Sequence, residues 1–386
     1  MQLPVYLDNN ATTPVDPVVV ETMLPFFGRV FGNASSHQHS YGLEAARAID
    51  RAREQVASLI GAREKEIVFT SGATESNNLA LLGAARRYRD RGRHIITVVT
   101  EHKAVLEPCR QLEREGFTVT YLWVDEYGWL DPDEVSRALT DQTILVSVMA
   151  ANNEIGTVQP IQGIAHRCRE RGVLFHTDAA QALGKIPLHV DEMGIDLMSL
   201  SAHKIYGPKG IGALFVRNKE PRVRLEPLVY GGGHENGLRS GTHAVPNIVG
   251  FGKACELAKI HLETEPPRLH QLRERLSIRI RSGLDDVNVN SHPTSCLPGL
   301  LHLSFAGIDG ESLMFALKEV AVSQGSSCTS GSLEPSHVLR AIGLSEKWIR
   351  GSIRFGIGRF TTEEEIDWAS DRVVETVQHL RAVCKT

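Results

Sequence analysis

The sequence predicts an α/β fold, a mostly parallel sheet with helices on both faces, followed by a small α+β C-terminal domain. Three observations carry this. Short apolar runs alternate with helical stretches from about residue 66 to residue 216, the pattern of a sheet covered on both sides. Polar, chemistry-bearing groups follow those runs, where open α/β sheets bind ligands. Beyond about residue 262 the alternation gives way to mixed strands and helices. The predicted domains are 15–262, large, and 1–14 with 263–386, small.

Each element has its own reason. Residues 1–14 end in Leu7-Asp-Asn-Asn-Ala-Thr-Thr-Pro14, polar and turn-prone, which reads as an extended arm toward a site or as a plain terminal loop. Asp16-Pro17 opens a helix through Met23, with proline at a position where its missing N–H costs nothing. A loop at 31–37 precedes a helix over 42–59, where Ala45, Ile49, Val56 and Leu59 recur at helical spacing. Strands are expected at 66–70, 94–100, 118–122, 144–149, 174–177, 197–200 and 212–216. Helices are expected at 75–89, 104–115, 131–139 and 161–171. Residues 247–281 read as mainly helical, broken at Pro266-Pro267. A strand at 300–305, helices at 311–318 and 335–342, and a strand at 352–357 follow. Thr361 and Glu364 have the spacing of a capping box opening a last helix.

Composition removes several function classes. The 386 residues are 42% hydrophobic and 23% charged, with a net charge of −4. There is no basic footprint for nucleic acid and no apolar run of membrane-spanning length. The first residues lack the regions of a signal peptide, so a cytoplasmic protein is expected. None of the six cysteines falls in a C-x-x-C pair, which signals neither a zinc site nor a disulfide framework. Free thiols in a reducing compartment are the simplest account.

Five strand ends carry candidate chemistry. Ser71-Gly-Ala-Thr74 opens a helix, and its N–H groups with the Thr74 hydroxyl suit a phosphate. Glu101-His102, Asn152-Asn153, Asp178-Ala-Ala-Gln181 and Ser201-Ala-His-Lys204 end four more strands. Lys204 stands at the exit of a buried strand. Desolvation there favours the free amine, a nucleophile able to form a Schiff base. Tyr230 to Thr242 is a glycine-rich polar loop, read as a phosphate or interface loop, with a flexible surface loop as the alternative.

With these motifs placed, the chain resembles the pyridoxal-phosphate-dependent cysteine desulfurases of the NifS/IscS type, nearly end to end. The resemblance is carried by Tyr6-Leu-Asp-Asn-Asn-Ala-Thr-Thr-Pro14, Phe69-Thr-Ser-Gly-Ala-Thr-Glu-Ser76, Thr100-Glu-His-Lys-Ala-Val105 and Ala151-Asn-Asn-Glu-Ile-Gly156. It continues in His176-Thr-Asp-Ala-Ala-Gln181, Ser201-Ala-His-Lys-Ile-Tyr-Gly-Pro-Lys-Gly210, Arg239-Ser-Gly-Thr242, Gly325-Ser-Ser-Cys-Thr-Ser-Gly-Ser-Leu-Glu-Pro-Ser-His337 and Ser352-Ile-Arg-Phe355. Individually, only the cysteine loop points past the broader class V aminotransferase-like group.

The resemblance implies an aspartate-aminotransferase-like fold (PLP fold type I), a homodimer and pyridoxal 5′-phosphate as cofactor. It implies that Lys204 is the Schiff-base lysine, Asp178 the partner of the pyridine nitrogen and Gln181 the partner of the ring hydroxyl. His102 is then the imidazole stacked on the ring. Ala73, Thr74, Ser201 and His203 are then phosphate ligands, with Thr242 supplied by the other subunit. Arg354 is the implied clamp on the substrate carboxylate, suited by its planar fork, and Asn153 contacts ring and substrate. Cys328 is the implied nucleophile that takes sulfur from L-cysteine as a persulfide, leaving alanine. Its Gly, Ser and Thr neighbours suit a loop that hands sulfur to an iron–sulfur scaffold protein or another acceptor. No metal site is implied, beyond Cys328 sharing a transient cluster on a scaffold partner. No direct nucleic-acid or membrane partner is implied. A selenocysteine lyase or a small-molecule C–S lyase of the same fold is the alternative.

The chain departs from the family pattern at Ala34, Ala202 and Gln324, where relatives carry Pro, Gly and Ser. It ends at Thr386, where relatives commonly continue into a scaffold-docking tail; either that docking mode is put in question or the tail has been trimmed from this sequence.

Overall fold

The computed structural model of the protein describes residues 2–220, 222–325 and 336–383. Seven strands form the large sheet in the spatial order Ile67–Thr70, Gly212–Val216, Leu197–Ser201, Leu174–Asp178, Thr143–Ser147, His94–Val98 and Thr118–Leu122. All run parallel except Gly212–Val216, which pairs antiparallel with both neighbours. Adjacent side chains alternate between two cores. Ile67, Phe69, Ile96 and Val146 face one, while Val68, Ile95 and Leu145 face the other. This is the two-sided burial that continuous apolar strands require. Helices Ser40–Leu59 and Val245–His261 pack together on the first face, and Ala73–Tyr88 covers strands on the second.

The antiparallel strand matters for the site. Gly212 pairs with Thr70 on one side and Ser201 on the other. The carboxyl ends of Ile67–Thr70 and Leu197–Ser201 therefore emerge beside each other. A Cβ at Gly212 would lie 2.7 Å from the Cα of Gly72, so only glycine lets these two exits approach so closely.

The C-terminal part builds a separate core. Strands Ser352–Gly356, Leu300–Phe305 and Val287–Val289 form an antiparallel sheet. Helices Glu265–Gly283 and Glu363–Val383 pack with it through Leu272, Leu276, Ile366 and Val373. Val5 and Leu7 from the N-terminus join this cluster, because Val5–Tyr6 pairs in parallel with Val320–Ala321. The chain then crosses toward the large sheet. Asn9 N–H donates to Gly356 O at 3.1 Å, and Thr13 N–H donates to His203 O at 3.0 Å. The arm reading of residues 1–14 therefore holds, and the plain-loop alternative does not.

Three local expectations shift. The helical stretch breaks at residues 262–264, not at the prolines, which instead occupy the first turn of Glu265–Gly283. The reciprocal cap of the last helix is made by Thr362 and Glu365, one residue later than expected. The strands Val5–Tyr6, Val287–Val289 and Val320–Ala321 and the short helix Glu346–Arg350 escaped sequence reading, being too short to show a period. Among the described residues, no helix is long and apolar enough to cross a membrane.

Phe355, on the strand Ser352–Gly356, is fully buried in the core of the C-terminal part. Phe355→Ala should destabilise this cluster by about 3–5 kcal/mol. Urea unfolding followed by tryptophan fluorescence, which includes the nearby Trp368, should show a lower midpoint for that transition.

Candidate active site

A cavity of 460 Å³ opens at the carboxyl end of the large sheet. Its lining includes Ala73, Thr74, His102, Asn153, Asp178, Gln181, Ser201, His203, Lys204 and Arg354. Five separate strand exits and the C-terminal sheet supply these residues. Thr242 is exposed and does not line the cavity. Cys328 lies outside the described residues.

The chain positions each group by local means. Lys204 ends the short 3-10 turn Ala202–Lys204, and its Nζ donates to Asn10 O at 2.5 Å and Ala11 O at 2.7 Å. Asp178 closes its strand deep in the cavity. Asn77 Nδ2 donates to its Oδ2 at 2.6 Å, and Ala180 N–H donates to its Oδ1 at 2.9 Å. A carboxylate offers about four lone-pair directions, so acceptor capacity remains for a ligand N–H. His102 caps the helix Lys103–Arg114, with Nδ1 accepting from Ala104 N–H at 3.0 Å. That bond places the ring's proton on Nε2 in the neutral form.

The opposite end suits an anion. The helix Ala73–Tyr88 begins there, behind Gly72 at φ 153°, a conformation closed to residues with a Cβ. The first-turn N–H groups and the helix dipole favour negative charge. His203 holds Thr12 Oγ1 through Nδ1 at 3.2 Å. Burial, with the charges of Lys204, Lys209 and Lys185, brings His203 down to about 4, so it acts as a neutral imidazole at neutral pH.

Arg354 reaches the cavity from the strand Ser352–Gly356 and is 1% exposed. Its Nη1 donates to Asn153 O at 2.7 Å, and its Nη2 donates to Asp8 Oδ1 at 3.0 Å and Ser323 Oγ at 2.8 Å. One guanidinium thus joins the arm, the large domain and the C-terminal sheet at the cavity wall.

The profile of the aminotransferase class-V family matches residues 5–368. A cysteine desulfurase of Mus musculus is 56% identical over 98% of this chain and 82% of its own length. The chain belongs to the aminotransferase class-V family, among its cysteine desulfurases. A solved NifS-like protein superposes with a TM-score of 0.91 at 38% identity, over 97% of this chain and all of its own. A structure of SspA in complex with cysteine gives a TM-score of 0.81 at 40% identity, over 93% of this chain and all of its own.

The cofactor of this desulfurase family is pyridoxal 5′-phosphate, and the residues present fit it. The cavity offers an amine at Lys204, a donor-braced carboxylate at Asp178 and a helix N-terminus behind a glycine. An aldehyde, a pyridine nitrogen and a phosphate are complementary to those three groups.

Sequence reading missed three supporting groups, Asn77, Asn10 and Lys185, and gave Glu101, named beside His102, no role of its own. Asn77 braces Asp178 from inside a helix, where a polar residue on the buried face was the available signal. Asn10 brings both its backbone carbonyl and its amide to the site. Lys185 donates to Gln181 Oε1 at 3.1 Å. Glu101 is fully buried, with Oε1 accepting from Met149 N–H at 2.6 Å. Burial, reinforced by the charge of Asp178, holds its carboxyl well above the ordinary range.

The glycine-rich loop is anchored rather than free. Glu235 stands at φ 50° and is buried. It accepts two hydrogen bonds from Arg53 at 2.7 Å each, one from His243 Nε2 at 2.7 Å and one from Phe69 N–H at 2.9 Å. The flexible-loop alternative is therefore set aside at Glu235.

Burial raises the Glu235 carboxyl, but the Arg53 and His243 hydrogen bonds overcome it and bring it to about 2. A carboxylate held below its ordinary 4.5 stabilises the fold above that pH and loses the contribution as pH falls toward 2. Glu235→Gln should flatten the acid limb of stability between those values, with an effect on the order of 3 kcal/mol. Thermal melts across that pH range read it.

Proposed function

We propose that this desulfurase removes sulfur from L-cysteine to give L-alanine and a persulfide on Cys328, passed on to a protein acceptor. The observation that carries the site assignment is the convergence of Lys204, Asp178, His102 and Arg354 on one cavity. When bound, pyridoxal 5′-phosphate supplies an aldehyde for an amine and a ring that accepts the electron pair left at the substrate Cα.

The chain's own residues then have definite tasks. Asp178 accepts the pyridinium N–H and keeps the ring electron-withdrawing, while Asn77 and Ala180 hold its oxygens in place. Ala73, Thr74, Ser201 and His203 take the phosphate, with Thr242 completing that set from a second subunit. His102 lies over the ring, its Nδ1 tied to Ala104. Gln181 donates to the ring hydroxyl. Arg354 binds the substrate carboxylate, and its bonds to Asp8, Ser323 and Asn153 fix the angle of its fork. Lys204, freed when substrate takes its place, removes the Cα proton. The Cys328 thiolate attacks the substrate sulfur: an S–S bond forms and the C–S bond breaks. The electron pair stays with the carbon fragment, which is protonated to alanine.

The residues flanking the cysteine segment bond to Arg354 of the cavity lining and to neighbours of Asn153 and His102, which supports delivery of the thiol there. Ser323 donates to Asp8 Oδ1 at 2.9 Å. On the other side, Ser336 donates to Glu154 Oε2 at 2.5 Å, and His337 Nε2 meets Glu101 O at 3.0 Å.

The reading includes a homodimer. Leu24, Phe27, Phe31, Tyr41 and Tyr230 are exposed, and Ser35 Oγ meets His234 Nε2 at 3.1 Å, joining the two segments that carry them. A second copy covering these side chains suits the exposed Thr242. It also includes a cytoplasmic compartment, supported by the unpaired Cys109, Cys168, Cys255 and Cys296. The acceptor is an iron–sulfur scaffold protein or another carrier of sulfane sulfur.

Incubation with L-cysteine and pyridoxal 5′-phosphate should give alanine with a 32-Da-class mass gain at Cys328, roughly one sulfur atom on a thiol. Lys204→Ala should abolish the visible absorbance of the loaded enzyme. Cys328→Ala should keep that absorbance and lose sulfur release; sulfide production at the wild-type rate would overturn the nucleophile assignment.

The Arg354 clamp makes a separate prediction. Arg354→Lys should raise KM for L-cysteine by about tenfold or more, because a point charge replaces a planar fork. Steady-state kinetics with alanine as the measured product checks it.

A further inference from the structure

Behind Gln181 lies a second lysine that the proposed chemistry does not use. Lys185 lies one turn beyond Gln181 and is half-buried, with its Nζ 3.1 Å from Gln181 Oε1. Asn10 Nδ2 donates to the same oxygen at 3.0 Å. Gln181 Nε2 in turn donates to Asn10 O at 2.8 Å. The amide is thus fully specified: its oxygen carries two donors, and one of its two N–H bonds is taken by a backbone carbonyl. The second N–H remains for the cavity that Gln181 lines.

An amide side chain can turn end for end at little cost unless its partners forbid it. A lysine ammonium has three donors and no acceptor, so it tolerates only the oxygen of Gln181. A turned amide would present a carbonyl to the hydroxyl-bearing edge of the ring, where negative charge accumulates. We propose that Lys185 is a positioning residue, which locks the Gln181 amide with its N–H toward the ring hydroxyl of bound pyridoxal 5′-phosphate. This rests on the cofactor reading given above.

The lock has an electrostatic side. Lys204 and Arg354 bear on Lys185 as like charges and Glu265 as the opposite one; burial leads these effects and brings the Lys185 ammonium to about 7. The N–H that Lys185 directs outward from Gln181 stabilises negative charge on the ring oxygen. It therefore lowers the proton affinity of the nitrogen that joins Lys204 to the cofactor.

The experiment is a pH titration of the visible absorbance of the pyridoxal-phosphate-loaded enzyme. Wild type, Lys185→Met, Lys185→Arg, Gln181→Leu and the double variant Lys185→Met with Gln181→Leu are compared. Lys185→Met should move the midpoint upward by about one unit, a tenfold gain in proton affinity. Lys185→Arg, which keeps donor and charge, should fall between wild type and Gln181→Leu. The double variant should match Gln181→Leu within a small residue of charge effect, because the lysine acts through the amide. An unmoved midpoint in a folded Lys185→Met, or additive shifts in the double variant, overturns the proposal. If Lys185→Met does not fold, Lys185→Arg decides: a midpoint beyond that of Gln181→Leu overturns it. Absence of any visible band in the wild type would instead sink the cofactor reading, so the two failures are distinct.

Discussion

The arm from Asp8 to Thr13 is the constraint on which the site depends. Its strand end is committed to the C-terminal sheet through Val5, Leu7 and Gly356, and its far end is committed to the turn after Ser201 through Thr13 and His203. Between those anchors, consecutive carbonyls of Asn10 and Ala11 face the Lys204 amine, and Asp8 faces Arg354. The amine and the guanidinium on the cavity wall are therefore registered by the same few residues. A small rotation of the C-terminal sheet against the large sheet would have to break contacts to both.

The fold was legible because its signal repeats. Thr118–Leu122, Gly212–Val216 and Leu300–Phe305 coincide with the sequence expectation, and the other expected strands differ only at their ends, since apolar runs bounded by turn residues define a buried strand. What escaped were elements held by partners rather than by pattern. Val5–Tyr6 and Val320–Ala321 are strands only because each has the other, a pairing 315 residues apart in register that no local window sees. The capping box moved by one residue because Thr361 and Thr362 are adjacent and both can cap; Thr361 instead bonds Gly358 N–H.

Site legibility followed a different rule. Groups that line the cavity lie in compact motifs at strand ends, so Lys204, Asp178, Gln181 and His102 could be named from sequence. Groups that hold those groups could not, because their bonds span long separations: Asn10 to Gln181 is 171 residues and Asn77 to Asp178 is 101. Alone, Asn77 is a polar residue in a helix, and Lys185 is a charged residue in a turn. Only the fold reveals that each occupies a position behind a ligand-facing side chain.

The charges around the cavity sort themselves by depth. Lys204 and Arg354 line the cavity, Lys185 stands behind Gln181, and the helix Ala73–Tyr88 begins at the same cavity with its positive end. A phosphate and a substrate carboxylate are the natural complements of that field, each desolvating a group already braced by protein donors or acceptors. Deeper in, Glu101 is buried beside Asp178, and burial, with that neighbouring charge, raises its carboxyl well above the ordinary range. Asp178 has both oxygens met by N–H donors from Asn77 and Ala180, whereas one Glu101 oxygen accepts from Met149 N–H. The two neighbouring carboxyls are thus held by different means, one mainly by donors and the other mainly by enclosure.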